Sequence, residues 1–248
     1  MTIKLYKFGS QWGIADPSPF CVKLESYLRL AKIDFETPKF SPALFGKSPK
    51  GKFPFIETEQ GEIIGDSQII IERFVNAGNI DLDEPLNAEE KAISCAFQRM
   101  LDEHFYWALV YSRWVDELGW SFISKMFFGI IPGFARGIIQ KREQKKVIAS
   151  LKGQGLGRHN RDEIYSFASK NIDALASYLS DKTYFFEKEK PTFIDVVLHA
   201  HIINIITPDF DTPLKQAVLA QQNLVDHAHR MDAEIYGDVY KTAPKQAA

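Results

Sequence analysis

Over the first 78 residues, short apolar runs and turn residues alternate quickly. Residues 3–8 read as a strand. Ser18-Pro19 opens a helix, since serine suits the N-cap and proline the first helical position. That helix runs to about Lys32, with Cys21, Leu24, Tyr27, Leu28 and Ala31 on one face. A short strand over 33–38 and a loop or brief helix over 42–47 come next. Residues 53–57 and 62–64 form a hairpin around Glu59-Gln60-Gly61. Asp66 or Ser67 caps a helix that continues through Ile70, Ile71 and Phe74 to Gly78. This is the α/β pattern of a small mixed sheet.

After the polar stretch 79–87 the period changes and stays helical. On a 100° wheel Ile93, Phe97, Met100, His104, Trp107, Tyr111 and Val115 share one face of a long helix. Gly119, Pro132-Gly133 and 153–157 read as breaks between later helices. Ile164, Phe167, Ala168, Ile172, Leu175 and Leu179 mark another helix, a further one begins at Thr192, and the last occupy about 213–236. The expected organisation is an α/β domain at 1–78, a linker at 79–87 and an all-helical domain at 88–248.

Composition changes this picture little, but it removes alternatives. A formal net charge of −2 gives no electrostatic footprint for nucleic acid or an acidic membrane, so neither is an expected partner. Two cysteines, Cys21 and Cys95, exclude a disulfide scaffold and a cysteine-based zinc site, and no metal is expected. Residues 1–10 lack an apolar core of signal-peptide length, the apolar stretches 122–131 and 194–206 are too short to span a bilayer, and the polar tail 241–248 is no anchor. A cytoplasmic location is expected.

Three segments carry candidate chemistry. Ser18-Pro19-Phe20-Cys21 sits where a strand hands over to a helix, whose first turn points unpaired N–H groups and a positive dipole end at Ser18. A thiolate there would be stabilised, and the Ser18 hydroxyl could donate to it; equally, Ser18 serves as an ordinary cap. Cys21, one turn in on the apolar face, reads as a buried small residue rather than a nucleophile. Lys52-Phe53-Pro54 places proline at a strand start. It is either a plain strand-initiating residue or a cis bend that frees the Phe53 backbone for an extended ligand. Asp66-Ser67 opens a helix, where N–H groups and a hydroxyl hold a carboxylate or simply cap.

In order and spacing, these three segments resemble the N-terminal domain of glutathione transferases. Ser18-Pro19-Phe20-Cys21 is similar to the glutaredoxin-type Cys-Pro-Phe/Tyr-Cys motif with serine in the leading position. Lys52-Phe53-Pro54 resembles the cis-proline site that pairs with the cysteinyl backbone of glutathione, and Asp66-Ser67 the acidic-Ser pair that holds its γ-glutamyl end. Thr192-Phe193-Ile194-Asp195 reads as a capping box and resembles the Ser/Thr-x-x-Asp box of the family's helical domain, so Asp195 is expected to be structural, not catalytic. Stretches 18–28, 100–120, 155–164 and 190–202 resemble the failed-axon-connections and metaxin-like branch. The resemblance implies a thioredoxin-like α/β domain plus an all-α domain, glutathione as co-substrate with no cofactor, and a homodimer.

The sequence departs from that pattern in places. The loop 9–17 is long and contains Trp12, Tyr6 lies inside the first strand rather than at its end, and Phe53 stands where Val is commoner. A second stripe, Arg99, Glu103, Tyr106 and Arg113, is expected either to wall an electrophile cleft that Trp12 covers or to face solvent or a partner subunit. Three functions fit. The first is conjugation of a Ser18-stabilised glutathione thiolate to a small hydrophobic electrophile. The second is a non-catalytic, glutathione-binding interaction role. The third is weak thiol transfer through Cys21, disfavoured by the serine in the leading position.

Overall fold

The computed structural model describes residues 2–129 and 131–240; the tail at 241–248 lies outside the described residues. The α/β part comprises β1 (Ile3–Tyr6), α1 (Pro19–Leu30), β2 (Phe35–Glu36), α2 (Leu44–Lys47), β3 (Phe55–Glu57), β4 (Ile63–Gly65) and α3 (Ser67–Asn76). The sheet order is β2-β1-β3-β4, with β1 parallel to β2 and antiparallel to β3, and β3 antiparallel to β4. Ile3 and Leu5 are buried while Lys4 between them is exposed, the period of two that a half-buried strand requires. The fold is a thioredoxin-like α/β half joined to an all-helical half.

One row of the sheet positions the three candidate segments. Tyr6 pairs with Phe55, and Phe55 with Gly65. β1 and β4 therefore end, and β3 begins, at the same edge of the sheet. The segments just beyond that edge are the loop leading to Ser18, the Phe53-Pro54 step and the Asp66-Ser67 turn.

The helical half comprises α4 (Ala88–Arg99), a π-helical turn (Met100–Phe105), α5 (Tyr106–Trp114), α6 (Glu117–Phe128), α7 (Gly133–Gln154), α8 (Arg161–Leu179), α9 (Phe193–Ile206), α10 (Pro213–Leu219) and α11 (Gln222–Tyr236). Every residue of α9 is buried, and it packs between α1 and α11 as the axis of the core. Its N-terminus is held by Asp195. One Asp195 oxygen accepts from the Thr192 N–H and hydroxyl at 2.8 Å each, the other from the Phe185 N–H at 2.6 Å and His227 Nε2 at 2.9 Å. Capping boxes at Asn87–Glu90 and Asn160–Glu163 start α4 and α8.

The expected long helix is corrected in two ways. The π-helical turn adds a residue to one turn and rotates α5 relative to α4. The stripe Ile93, Phe97, Met100, His104, Trp107, Tyr111 and Val115 is therefore a half-buried flank. The buried positions are Ser94, Gln98, Leu101, Asp102, Phe105, Ala108, Leu109, Val110, Ser112 and Arg113. The helix ends at Trp114, and Asp116 caps α6 by accepting from Leu118 N–H at 3.2 Å. Gly119 lies inside α6 rather than breaking it; a Cβ there would sit 1.7 Å from the Ser112 carbonyl oxygen, so only glycine allows this approach of α5 and α6.

The two halves are joined by polar contacts, one buried and one part-buried. Lys23 of α1 donates to Asp102 of the π-helical turn at 2.7 Å, and Gln98 of α4 to Gln68 of α3 at 2.6 Å. Among the described residues no helix is long and apolar enough to cross a membrane.

Candidate functional site

Ser18 is the N-cap of α1 with extended backbone, and Pro19 takes the first helical position. Its carbonyl accepts from the Cys21 and Val22 N–H groups at 3.0 Å. Its hydroxyl makes no capping bond to the helix and instead lies within hydrogen-bonding reach of the Cys21 thiol. The Cys21 thiol, fully buried one turn in, has the Ser18 and Asp16 side chains as hydrogen-bonding neighbours. Burial first, and then the charge of Asp16, push this thiol well up, which disfavours the thiolate at Cys21.

Asp16 was not singled out by sequence, although Asp16-Pro17-Ser18 carries the local signal of an Asx turn. It is completely buried. One oxygen accepts the Ser18 N–H and the other the Gly9 N–H, both at 2.9 Å, so a single carboxylate pins both ends of the 9–17 loop. Burial pushes it up to about 7, against the pull of Lys7 and of these two N–H groups. Lys7 is itself committed to Glu25 at 2.5 Å and to the Ala15 carbonyl at 2.8 Å.

Within that loop, Trp12 (φ 56°) and Gly13 (φ 81°) are left-handed, which closes a tight turn between Gln11 and Ile14. A tryptophan tolerates this conformation only when its surroundings hold it. Here the Arg113 guanidinium lies 5.2 Å from the Trp12 ring centroid and Phe122 of α6 at 6.1 Å.

The expected four-residue stripe is not one surface, because the π-helical turn interrupts it. Arg99 and Glu103 are exposed. Tyr106 stacks edge-on to Phe20 at 4.8 Å, next to the start of α1. Arg113 is buried, and it donates to the Pro17 carbonyl at 2.5 Å and to the Asn204 carbonyl and side-chain oxygens at 2.6 and 3.0 Å. Burial pulls its guanidinium down to about 10. Arg113 thus braces the loop against α9 and does not line open cleft.

The aromatic wall lies elsewhere. Phe8, just past β1, meets Phe53 at 4.9 Å and, on the helical half, Phe127 of α6 at 6.1 Å. Phe127 stacks on Trp114 at 6.0 Å, and Phe122 lies 5.2 Å from Phe210. α6 therefore roofs the region between the halves with rings. Only the density of aromatic residues over 105–128 hinted at this.

On the opposite side, the Phe53-Pro54 bond is cis. The loop before it is closed by Ser48, whose hydroxyl donates to the Lys52 carbonyl at 2.6 Å and accepts the Lys52 N–H at 3.0 Å. The Lys52 side chain is exposed. Tyr6 stacks on Phe55 at 4.4 Å, and its hydroxyl is committed to Glu57 at 2.6 Å and Lys47 at 2.8 Å. Asp66, at φ 89°, is the true N-cap of α3 and accepts from the Gln68 N–H at 3.0 Å; Lys50 approaches it at 3.3 Å. Ser67 is buried as the first residue of α3.

Comparison with known proteins agrees with this geometry. A model of the glutathione S-transferase N-terminal domain matches residues 19–119, and one of the C-terminal domain matches 168–231. The isoprene-epoxide–glutathione S-transferase of Rhodococcus sp. (strain AD45) is 32% identical, over 92% of this chain and 97% of that one. Failed axon connections of Drosophila melanogaster is 31% identical over 95% of this chain, which spans 58% of that protein's length. Human metaxin-2 is 26% identical over 77% of this chain and 72% of its own length. Among solved structures, the beta-etherase from Sphingobium sp. strain SYK-6 shares the fold, with a TM-score of 0.62 at 18% identity over 98% of this chain and 100% of that one. Together, the site at the edge of the sheet, the two matched domains and the Rhodococcus relative place this chain in the glutathione S-transferase family.

Proposed function

We propose that the chain conjugates glutathione to a small hydrophobic electrophile, with Ser18 stabilising the thiolate. The observation that carries this reading is the Tyr6–Phe55–Gly65 row, which sends the Ser18, Phe53 and Ser67 segments off the same edge of the sheet. Glutathione lies extended along that edge, with its cysteinyl backbone on Phe53 beside the exposed Lys52 and its γ-glutamyl end at Asp66 and Ser67. The thiol gives its proton to solvent. The thiolate accepts from the Ser18 hydroxyl at the positive end of α1, then attacks the electrophilic carbon as the leaving group departs. Lowering a thiol pKa by about two units requires roughly 2.7 kcal/mol, and a hydroxyl donor to an anion contributes ~1.5–3 kcal/mol. Phe8, Trp12, Tyr106, Phe122 and Phe127 supply the apolar wall for the electrophile.

On this reading residues 1–78 form the glutathione-binding domain and 88–248 the helical one, in a cytoplasmic homodimer serving detoxification. The epoxide named for the Rhodococcus relative makes a small epoxide the first electrophile to try. The experiment is glutathione consumption with a small epoxide and with a nitroaromatic halide. Turnover above the uncatalysed rate with either supports conjugation. Tight glutathione binding with no turnover on either would favour the non-catalytic, glutathione-binding role.

A further inference from the structure

The first half of α7 carries large apolar side chains outward, while the buried residue of the helix, Leu151, comes near its end. Its inner face presents Gln140 and Gln144, whose side chains donate to the Ser124 carbonyl at 3.4 Å and the Trp114 carbonyl at 2.8 Å. Its outer face starts with Phe134, 88% exposed, and one turn later Ile138, 73% exposed. Single exposed apolar residues are ordinary on a protein surface. Two large ones stacked i, i+4 outside a helix that turns glutamines inward are not what folding alone selects.

The same outer stripe continues with Lys141, Arg142, Lys145, Lys146 and Lys152, all exposed. At 100° per residue these positions fall on one side of the helix with Phe134 and Ile138. α7 holds six basic residues and one acidic one, a local charge of +5 in a chain whose formal net charge is −2. The overall charge therefore conceals a strongly cationic ridge. Arg136 secures the turn before it by donating to the Ile131 and Gly129 carbonyls at 3.0 and 2.7 Å, which fixes Phe134 at the tip of the α6–α7 hairpin.

We propose that the outer face of α7 docks on an anionic phospholipid bilayer, with Phe134 and Ile138 entering the headgroup boundary and the lysines pairing with lipid phosphates. An interfacial helix needs an apolar contact and a cationic face along one line, and α7 has both. A second copy of the chain is a poor occupant, because a two-fold contact would press this cationic stripe against itself. The helix lies on the surface and does not span it. The inference is independent of the catalytic reading.

The test is co-sedimentation of the full chain with phosphatidylcholine vesicles, with and without phosphatidylserine. Binding is expected only with phosphatidylserine, and added salt should weaken it. The double variant Phe134→Ser with Ile138→Ser should bind about tenfold more weakly, and the triple variant Lys141→Gln, Lys145→Gln, Lys146→Gln on the order of a hundredfold more weakly. Both variants should keep the wild-type melting temperature, since these side chains are exposed. Absence of binding to the anionic vesicles, or equal binding by wild type and both variants, would overturn the proposal. So would binding to an acidic polypeptide such as polyglutamate without binding to vesicles, which would make the ridge a protein-docking site instead.

Discussion

The Asp16 carboxylate accepts the backbone N–H of Ser18 at 2.9 Å, so the residue proposed to hold the thiolate is itself positioned by a buried acid. The same carboxylate holds Gly9 at the other end of the loop. A carboxyl pushed up to about 7 in the folded chain, against ~3.9 unfolded, gives stability a definite pH sign. Below about pH 4 both states carry the proton and Asp16 contributes no slope. Between about 4 and 7 the folded state holds a proton that the unfolded state has lost. Stability therefore falls as pH rises through that window, by on the order of 4 kcal/mol from this group. Chemical denaturation from about pH 4.5 to about pH 7.5 should show this decline. Asp16→Asn should flatten it. A variant with the same pH slope as wild type would show that Asp16 does not titrate there.

Asp195 joins three elements rather than only capping one. Asp195→Ala leaves the Phe185 and Thr192 N–H groups and the buried His227 ring without their acceptor. A lost cap alone costs ~0.5–2 kcal/mol, whereas the broken buried network should cost about 3–5 kcal/mol. Urea unfolding measures this. Remaining folded protein should keep wild-type turnover; a selective loss of turnover with unchanged stability would make Asp195 a catalytic acid after all.

Ser67 and Asp66 divide their tasks. Asp66 caps α3, and on the proposed reading Ser67 is the residue that meets the ligand. Ser67→Ala should raise the glutathione dissociation constant several-fold, through loss of a charge-assisted hydrogen bond to the γ-glutamyl carboxylate. Calorimetry giving equal affinity would remove Ser67 from the site.

How much of this was legible in the sequence depends on how local each signal is. Ser18-Pro19, Phe53-Pro54 and Thr192-x-x-Asp195 announce themselves within a few residues, because caps and prolines act on their own backbone. The α/β-then-helical order is readable for the same reason, but β1 ends at Tyr6 and not at residue 8, so Tyr6 closes the strand instead of lying inside it. Asp16, Arg113 and Phe127 were not legible, since their partners lie at Gly9 and Ser18, at Pro17 and Asn204, and at Phe8. The sequence puts Arg113 on a cleft wall or a solvent- or partner-facing surface, because a wheel of fixed period cannot register the extra residue of the π-helical turn. The cationic ridge of α7 is hidden in an averaged net charge.

The central claim is that the Ser18 hydroxyl stabilises the glutathione thiolate, and its most direct test is the thiolate absorbance of bound glutathione measured against pH. With Ser18→Ala the bound thiol should titrate about one to two units higher, and conjugation at pH 7 should fall about ten- to a hundredfold, while glutathione affinity changes less. Identical titration curves for wild type and Ser18→Ala would contradict the account, and would leave Ser18 as the cap of α1 alone.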